Sequence, residues 1–136
     1  WTHLPAPRFV AREEFAGLRR LGGAAVEPAA LRGAGVALLS GLGRPQAFER
    51  LVRAVAARHG IDVRRAVRVG DHAPFERELR RLVPKLAGLG CQHILLTAKD
   101  ALRLPPGSQW DEPLLVVEQR LVVRDLDRLL ECLLPR

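Results

Sequence analysis

An aspartate next to a histidine, Asp71-His72, is the pair in this chain best suited to moving a proton. Histidine is the side chain whose unperturbed pKa lies near neutrality, and an adjacent or facing carboxylate orients the ring and raises its basicity. The competing reading has Asp71 capping the helix that follows and His72 in solvent. Two further clusters suit anions. Ser40-Gly41-Leu42-Gly43-Arg44-Pro45 combines two glycines, which let the backbone turn sharply and approach a ligand closely, with an arginine and a proline fit for a first helical position. The free N–H groups beyond Pro45, the helix dipole and the Arg44 guanidinium all favour phosphate or carboxylate there, although a tight turn without a ligand fits the same residues. Thr97-Ala98-Lys99-Asp100 offers a hydroxyl, an ammonium and a carboxylate within one turn, enough to bind a phosphate or hold a neighbouring loop. Its structural reading is a short helix capped by Thr97, with Lys99 and Asp100 paired to nearby charges.

Each cluster follows an apolar run that reads as a strand. Val36 to Ser40 leads into Gly41, and a helix from Pro45 to about His59 carries Phe48, Leu51, Val52 and Val55 at helical spacing until Gly60 stops it. Residues 61 to 69 alternate, Ile61, Val63, Val67 and Val69 on one face and Asp62, Arg64 and Arg68 on the other, as a half-buried strand does. Phe75, Leu79, Leu82, Val83 and Leu86 form a helical stripe in which Pro84 predicts a kink or two short helices. Ile94 to Thr97 and Leu114 to Val123 read as strands, and Leu126, Leu129, Leu130, Leu133 and Leu134 as a terminal amphipathic helix opened by Asp125. Strands alternating with helices predict an α/β fold. The expected form is a mainly parallel sheet flanked by helices, a Rossmann-like three-layer sandwich with ligands beyond the carboxyl ends of the strands. Residues 1–34 read as a linker region, with Arg8-Phe9-Val10 and Gly17-Leu18-Arg19 as two short strands of a ribbon, and residues 35–136 as the α/β lobe.

At 136 residues the chain suits one domain with its own core. Its 22 basic and 15 acidic side chains give a formal charge of +7, which suggests an anionic partner such as nucleotide, phospholipid headgroup or nucleic acid. Interleaved as they are with apolar helix positions, the arginines also read as a solvated basic surface. Nucleic acid is disfavoured, because stacking aromatics are scarce: four Phe, two Trp and no Tyr. Cys91 and Cys132 stand far apart with no histidine at metal-ligand spacing. They predict neither a disulfide nor a metal site, and read as buried small apolar residues. No apolar run approaches the roughly 20 residues that span a bilayer, and the first residues from Trp1 do not form a charged-then-apolar leader, so the segment reads as soluble and as more like the middle of a protein than its start. Gly-x-x-x-x-Gly-Lys-Ser/Thr is missing, so these residues do not cradle a nucleoside triphosphate and its magnesium in the P-loop manner.

In order, Ser40-Gly41-Leu42-Gly43-Arg44-Pro45-Gln46-Ala47-Phe48, Asp71-His72-Ala73 and Thr97-Ala98-Lys99-Asp100-Ala101-Leu102-Arg103-Leu104 resemble three motifs of one family. They are similar to the C-terminal part of the tetraacyldisaccharide 4'-kinases, the lipid A 4'-kinases of Gram-negative bacteria. That family carries Ala-Gly-Ile-Gly-x-Pro-x-x-Phe, then Asp-His before His or an aromatic, then Thr-Glu-Lys-Asp-Ala-x-Lys-Leu. The resemblance covers residues 35 to 125 and implies an enzyme that moves the γ-phosphate of ATP, with Mg2+, onto the 4'-hydroxyl of a tetraacyldisaccharide 1-phosphate, giving lipid IVA. It implies that an N-terminal lobe holds the P-loop, ATP, Mg2+ and catalytic aspartates, and that this lobe is a partner. It implies further that His72 joins one of those aspartates in a dyad, that Asp71 orients His72, and that Gly41, Gly43 and Arg44 shape the cleft. Peripheral attachment to the cytoplasmic side of the inner membrane follows from the same likeness, as does inactivity of these residues by themselves. Ala73 and Ala98 depart from the family pattern, so no role carries over to them, and Ser40 stands where the family has Ala. A free-standing anion-binding or regulatory module without chemistry is the alternative.

Overall fold

Glycine and proline set the boundaries of most elements. The computed structural model describes residues 11–41, 43–70, 74–104, 113–123 and 126–134. In chain order the elements are β1 (Ala11–Arg19), β2 (Ala25–Val26), β3 (Gly35–Ser40), α1 (Pro45–His59), β4 (Asp62–Arg68), α2 (Phe75–Leu82), β5 (His93–Thr97), α3 (Ala98–Ala101), β6 (Leu114–Val123) and α4 (Leu126–Leu133). Pro45 opens α1, and Gly60 closes it in the left-handed conformation at φ 68°, its N–H donating to Ala56 O. Pro84 ends α2 as α-helix, and residues Val83–Lys85 continue as a 3-10 turn.

The six strands form one sheet in the order β2-β1-β6-β5-β3-β4. The β3–β4, β3–β5 and β5–β6 pairs are parallel, and β1 runs antiparallel to both β2 and β6. α1 covers one face, where Phe48, Val52 and Ala56 pack on Val36, Leu38, Leu95 and Leu115. α2 covers the other, where Phe75, Leu79 and Leu82 pack on Ala37, Leu39, Ile94 and Leu96. Two helical layers enclose the sheet, so β3 is buried at every position, as parallel strands coated on both faces are. Each fully buried leucine or isoleucine there contributes about 1.5–3 kcal/mol.

Several expectations need correction. β4 does not keep one apolar face: its register with β3 slips between Val36 and Ala37, which pair with Val63 and Arg65. The extra residue, Arg64, reverses the alternation. Ile61 and Val63 therefore pack on the α1 side, whereas Val67 and Val69 pack on the α2 side. Gly17-Leu18-Arg19 is the end of the nine-residue β1 and not a short strand of its own, and Arg8-Phe9-Val10 lies outside the described residues. The long partner of β1 is β6, from Ala11↔Val123 to Arg19↔Val116. Cys91 is buried, but Cys132 is exposed. α4 forms, yet Leu130, Leu133 and Leu134 are 46%, 71% and 64% exposed, and Asp125 lies outside the described residues.

Candidate functional site

Parallel pairing carries the ends of β3, β4 and β5, at Ser40, Arg68 and Thr97, to one edge of the sheet. β6 continues beyond this edge. Its pairing with β5 ends at Val117, and Gln119 to Val123 pair with Phe15 to Ala11 as a two-stranded arm, about 15 Å long at the usual rise per residue. A broad cleft of about 940 Å3 lies between arm and edge. Gly43, Arg44 and Pro45 form one wall together with Ala47, Leu51 and Ala54 of α1; Thr97, Ala98 and Lys99 form another; Arg12, Glu13 and Leu121 of the arm complete the lining. The lining is mixed: apolar side chains of α1 and the arm stand beside Arg12, Arg44, Arg50 and Lys99 and the acidic Glu13 and Asp100. Arg44, Arg50 and Lys99 are exposed there, a combination suited to a ligand that is anionic at one end and apolar at the other.

The two walls are held together from behind. Thr97 caps α3 by accepting from Asp100 N–H at 3.0 Å. The Asp100 carboxylate, 3% exposed, accepts the Gly41 N–H at 3.0 Å through Oδ2 and faces Arg103 Nη1 at 3.5 Å through Oδ1. The Arg103 guanidinium lies 5.1 Å from the ring centroid of Phe75, the first residue of α2, within cation–π range. The approach that glycine permits at position 41 is therefore to this chain's own Asp100 and Arg103, since a Cβ there would meet both. Its N–H is committed to Asp100. Gly43 serves the turn itself, at φ 106°.

A second clamp holds α1 against β4. Arg68 grips Glu49 with two bonds, at 2.8 and 3.2 Å, and these bonds hold the Glu49 carboxyl below its usual range and raise Arg68. Asp71 and His72 lie outside the described residues. On either side of them, Val69 N–H donates to Ser40 O at 2.7 Å, and Pro74 precedes Phe75 as the N-cap of α2. Of the residues singled out from sequence, the structure brings Gly43, Arg44, Thr97, Lys99 and Asp100 to the cleft, with Gly41 just behind it. Sequence reasoning gave no part to Arg103, Arg50 or the arm. Arg103 follows Asp100 at i+3, the one signal that could have marked it; the arm carries none, because its strands lie at opposite ends of the chain. Among the described residues no three His, Cys, Asp or Glu side chains come together as metal ligands.

The sequence profile of the tetraacyldisaccharide-1-P 4'-kinases matches residues 5–135, nearly the whole chain. The chain belongs to that family. Its tetraacyldisaccharide 4'-kinase relatives include the protein of Anaeromyxobacter dehalogenans strain 2CP-C, 42% identical over 78 residues, or 57% of this chain and 20% of the relative. The protein of Geobacter metallireducens is 32% identical over 107 residues, 77% of this chain and 30% of the relative. LpxK of Aquifex aeolicus, solved in complex with ATP, shares the fold with a TM-score of 0.57 at 22% identity, over 96% of this chain and 36% of that one. The mostly parallel, helix-flanked sheet described above is thus a fold found in the kinase family, and this chain spans between 20% and 36% of the length of these relatives.

Proposed function

We propose that this chain is the C-terminal lobe of a lipid A 4'-kinase, closing one side of a site where the γ-phosphate of ATP passes to the 4'-hydroxyl of a tetraacyldisaccharide 1-phosphate to give lipid IVA. The reading is carried by the meeting of the first and third family motifs in one cleft, with Arg44 and Lys99 both in its lining. Family membership supports ATP-dependent phosphoryl transfer, and apolar side chains such as Leu51 and Leu121 beside those cations suit a phosphorylated, acylated sugar.

In this reading ATP with Mg2+ supplies the phosphoryl group and the neutralising charge, bound mainly by an N-terminal P-loop lobe; no described residue of this chain is assigned to the metal. Arg44 and Lys99 bind anionic oxygens and place the acceptor. Gly41 and Gly43 shape the wall that carries Arg44, and Thr97 and Asp100 hold the wall that carries Lys99. His72, oriented by Asp71 and paired with an aspartate of the other lobe, takes the proton from the 4'-hydroxyl as attack proceeds. In this reading residues 1–34 are the linker region and residues 35–136 the α/β lobe, with the arm, residues 11–15 against 119–123, at the junction. The assembled enzyme sits peripherally on the cytoplasmic face of the bacterial inner membrane, a placement drawn from the family likeness; no helix among the described residues is long and apolar enough to cross a bilayer.

The test is kinase turnover by the chain extended to the length of its relatives. His72→Ala is expected to lower kcat by about 10²–10⁴-fold while the protein still binds ATP. Unchanged turnover removes His72 from the chemistry. A folded wild type without turnover favours a non-catalytic anion-binding module.

A further inference from the structure

Asp100 forgoes a local bond for a distant one. At the third position of a helix capped by threonine, an acidic side chain can fold back onto the N–H of the cap residue and close a capping box. Thr97 makes its half of that arrangement, but the Asp100 carboxylate reaches across to Gly41 N–H at the end of the neighbouring strand. A carboxylate so deeply buried is costly unless a positive charge and donors compensate it. Gly41 supplies one donor, and Arg103, one turn further along the chain, faces the carboxylate and packs its guanidinium over the buried Phe75 ring. Arg103 does not itself line the cleft. It stands behind the wall, in contact with the groups that join α3, α2 and the β3–α1 turn.

We infer that Arg103 is a positioning residue for phosphoryl transfer: by holding the Asp100 carboxylate against Gly41 N–H, it fixes the placement of Arg44 relative to Lys99 in the cleft lining. The inference rests on the kinase reading above. Its physical content is that a buried carboxylate without its cation is repelled from an apolar surround and swings toward solvent, releasing the Gly41 turn. The turn carries Arg44, so an error there moves one phosphate-binding wall relative to the other, and small misplacements of reacting groups are costly in rate.

The experiment uses the chain extended to its relatives' length. Arg103→Met, which keeps the stem and removes the charge, is expected to lower kcat about tenfold or more, with KM for ATP changed by less than about threefold. Arg103→Lys retains the charge and is expected to keep kcat within about threefold of wild type. Amide exchange at Gly41, followed by mass spectrometry in the same proteins, is expected to rise in Arg103→Met and not in Arg103→Lys, with the melting temperature of both above the assay temperature. In an Asp100→Asn background the charge that Arg103 balances is gone, so adding Arg103→Met is expected to change kcat little further. An unchanged kcat in Arg103→Met overturns the inference, and so does a fall in kcat with Gly41 exchange unchanged. If wild type shows no turnover the kinase reading has failed instead, and Gly41 exchange still decides whether Arg103 holds the turn.

Discussion

Gly41 and Asp100, 59 residues apart in sequence, are joined by a 3.0 Å bond from the Gly41 N–H to the Asp100 carboxylate. A Cβ at position 41 would stand 2.9 Å from the other carboxylate oxygen and closer still to the Arg103 guanidinium. Both obstacles are ends of side chains, which yield by shifting. Gly41→Ala is therefore expected to cost about 1–3 kcal/mol, read as a lower denaturant midpoint with unchanged slope. A midpoint equal to that of wild type would show that the clamp has slack.

Gly35→Ala is expected to cost more than Gly41→Ala. Its added Cβ would run into the backbone carbonyl of Gly90, and neither backbone is free to retreat. Gly35 is bonded to Gln92 in both directions, N–H to Oε1 at 2.6 Å and O from the Gln92 N–H at 2.8 Å. Overpacking against backbone belongs at or beyond the upper end of the usual range, about 3 kcal/mol or more. The two alanine variants unfolded side by side give the comparison, and equal midpoints would contradict it.

Acid should weaken the fold through His93. Burial lowers the pKa of this ring from the ordinary 6.5, with the charge of Arg20 acting in the same direction, and its buried Nδ1 has no hydrogen-bond partner. The unfolded chain thus takes up the proton more readily than the folded one. Stability is present above the unfolded pKa and falls as pH drops below it. Glu49, held below its ordinary 4.5 by Arg68, loses its contribution only at lower pH. Urea midpoints at about pH 7.5 and pH 5 are expected to differ in wild type and to converge in His93→Gln; equal slopes in the two proteins would remove His93 as the cause.

Arg44 and Lys99 are exposed at the cleft, and Arg44 makes no side-chain bond to cap α1. Replacing either with alanine is expected to leave stability within about 0.5 kcal/mol and, in the chain extended to its relatives' length and on the kinase function proposed above, to raise KM for ATP or for the lipid acceptor about tenfold, the scale of one charge-assisted hydrogen bond. The substrate whose KM rises identifies the anion each cation holds. Unchanged KM for both substrates places the anion elsewhere.

Much of this was legible where local chemistry decides. Pro45 and Gly60 bound α1, Pro84 ends α2, and Thr97 caps α3, as residue type alone predicts. β6 runs from Leu114 to Val123, as its apolar pattern indicates. What escaped depends on pairing between distant segments. The bulge at Arg64 is visible only against the β3 ladder, β1 finds its partner near the other end of the chain, and Asp100 looks like a local cap until Gly41 is beside it. Cys132 reads as buried from its type, and Leu130, Leu133 and Leu134 as part of an amphipathic stripe, but burial depends on what covers them. Of the cleft, the two clusters around Arg44 and Lys99 that line it stand out in the sequence by residue type, but the arm that also lines it does not.

Ala11 and Val123 are cross-strand partners, so the two ends of the arm stand about 5 Å apart. The rest of the sheet with α1, α2 and α3 lies between them and hangs from a stem whose closing gap a two-residue turn could bridge. Such a segment is a cassette. Its lining can be exchanged or refitted without disturbing the strand pairing of the stem, which lets the ligand preference of the cleft change while the stem stays as it is.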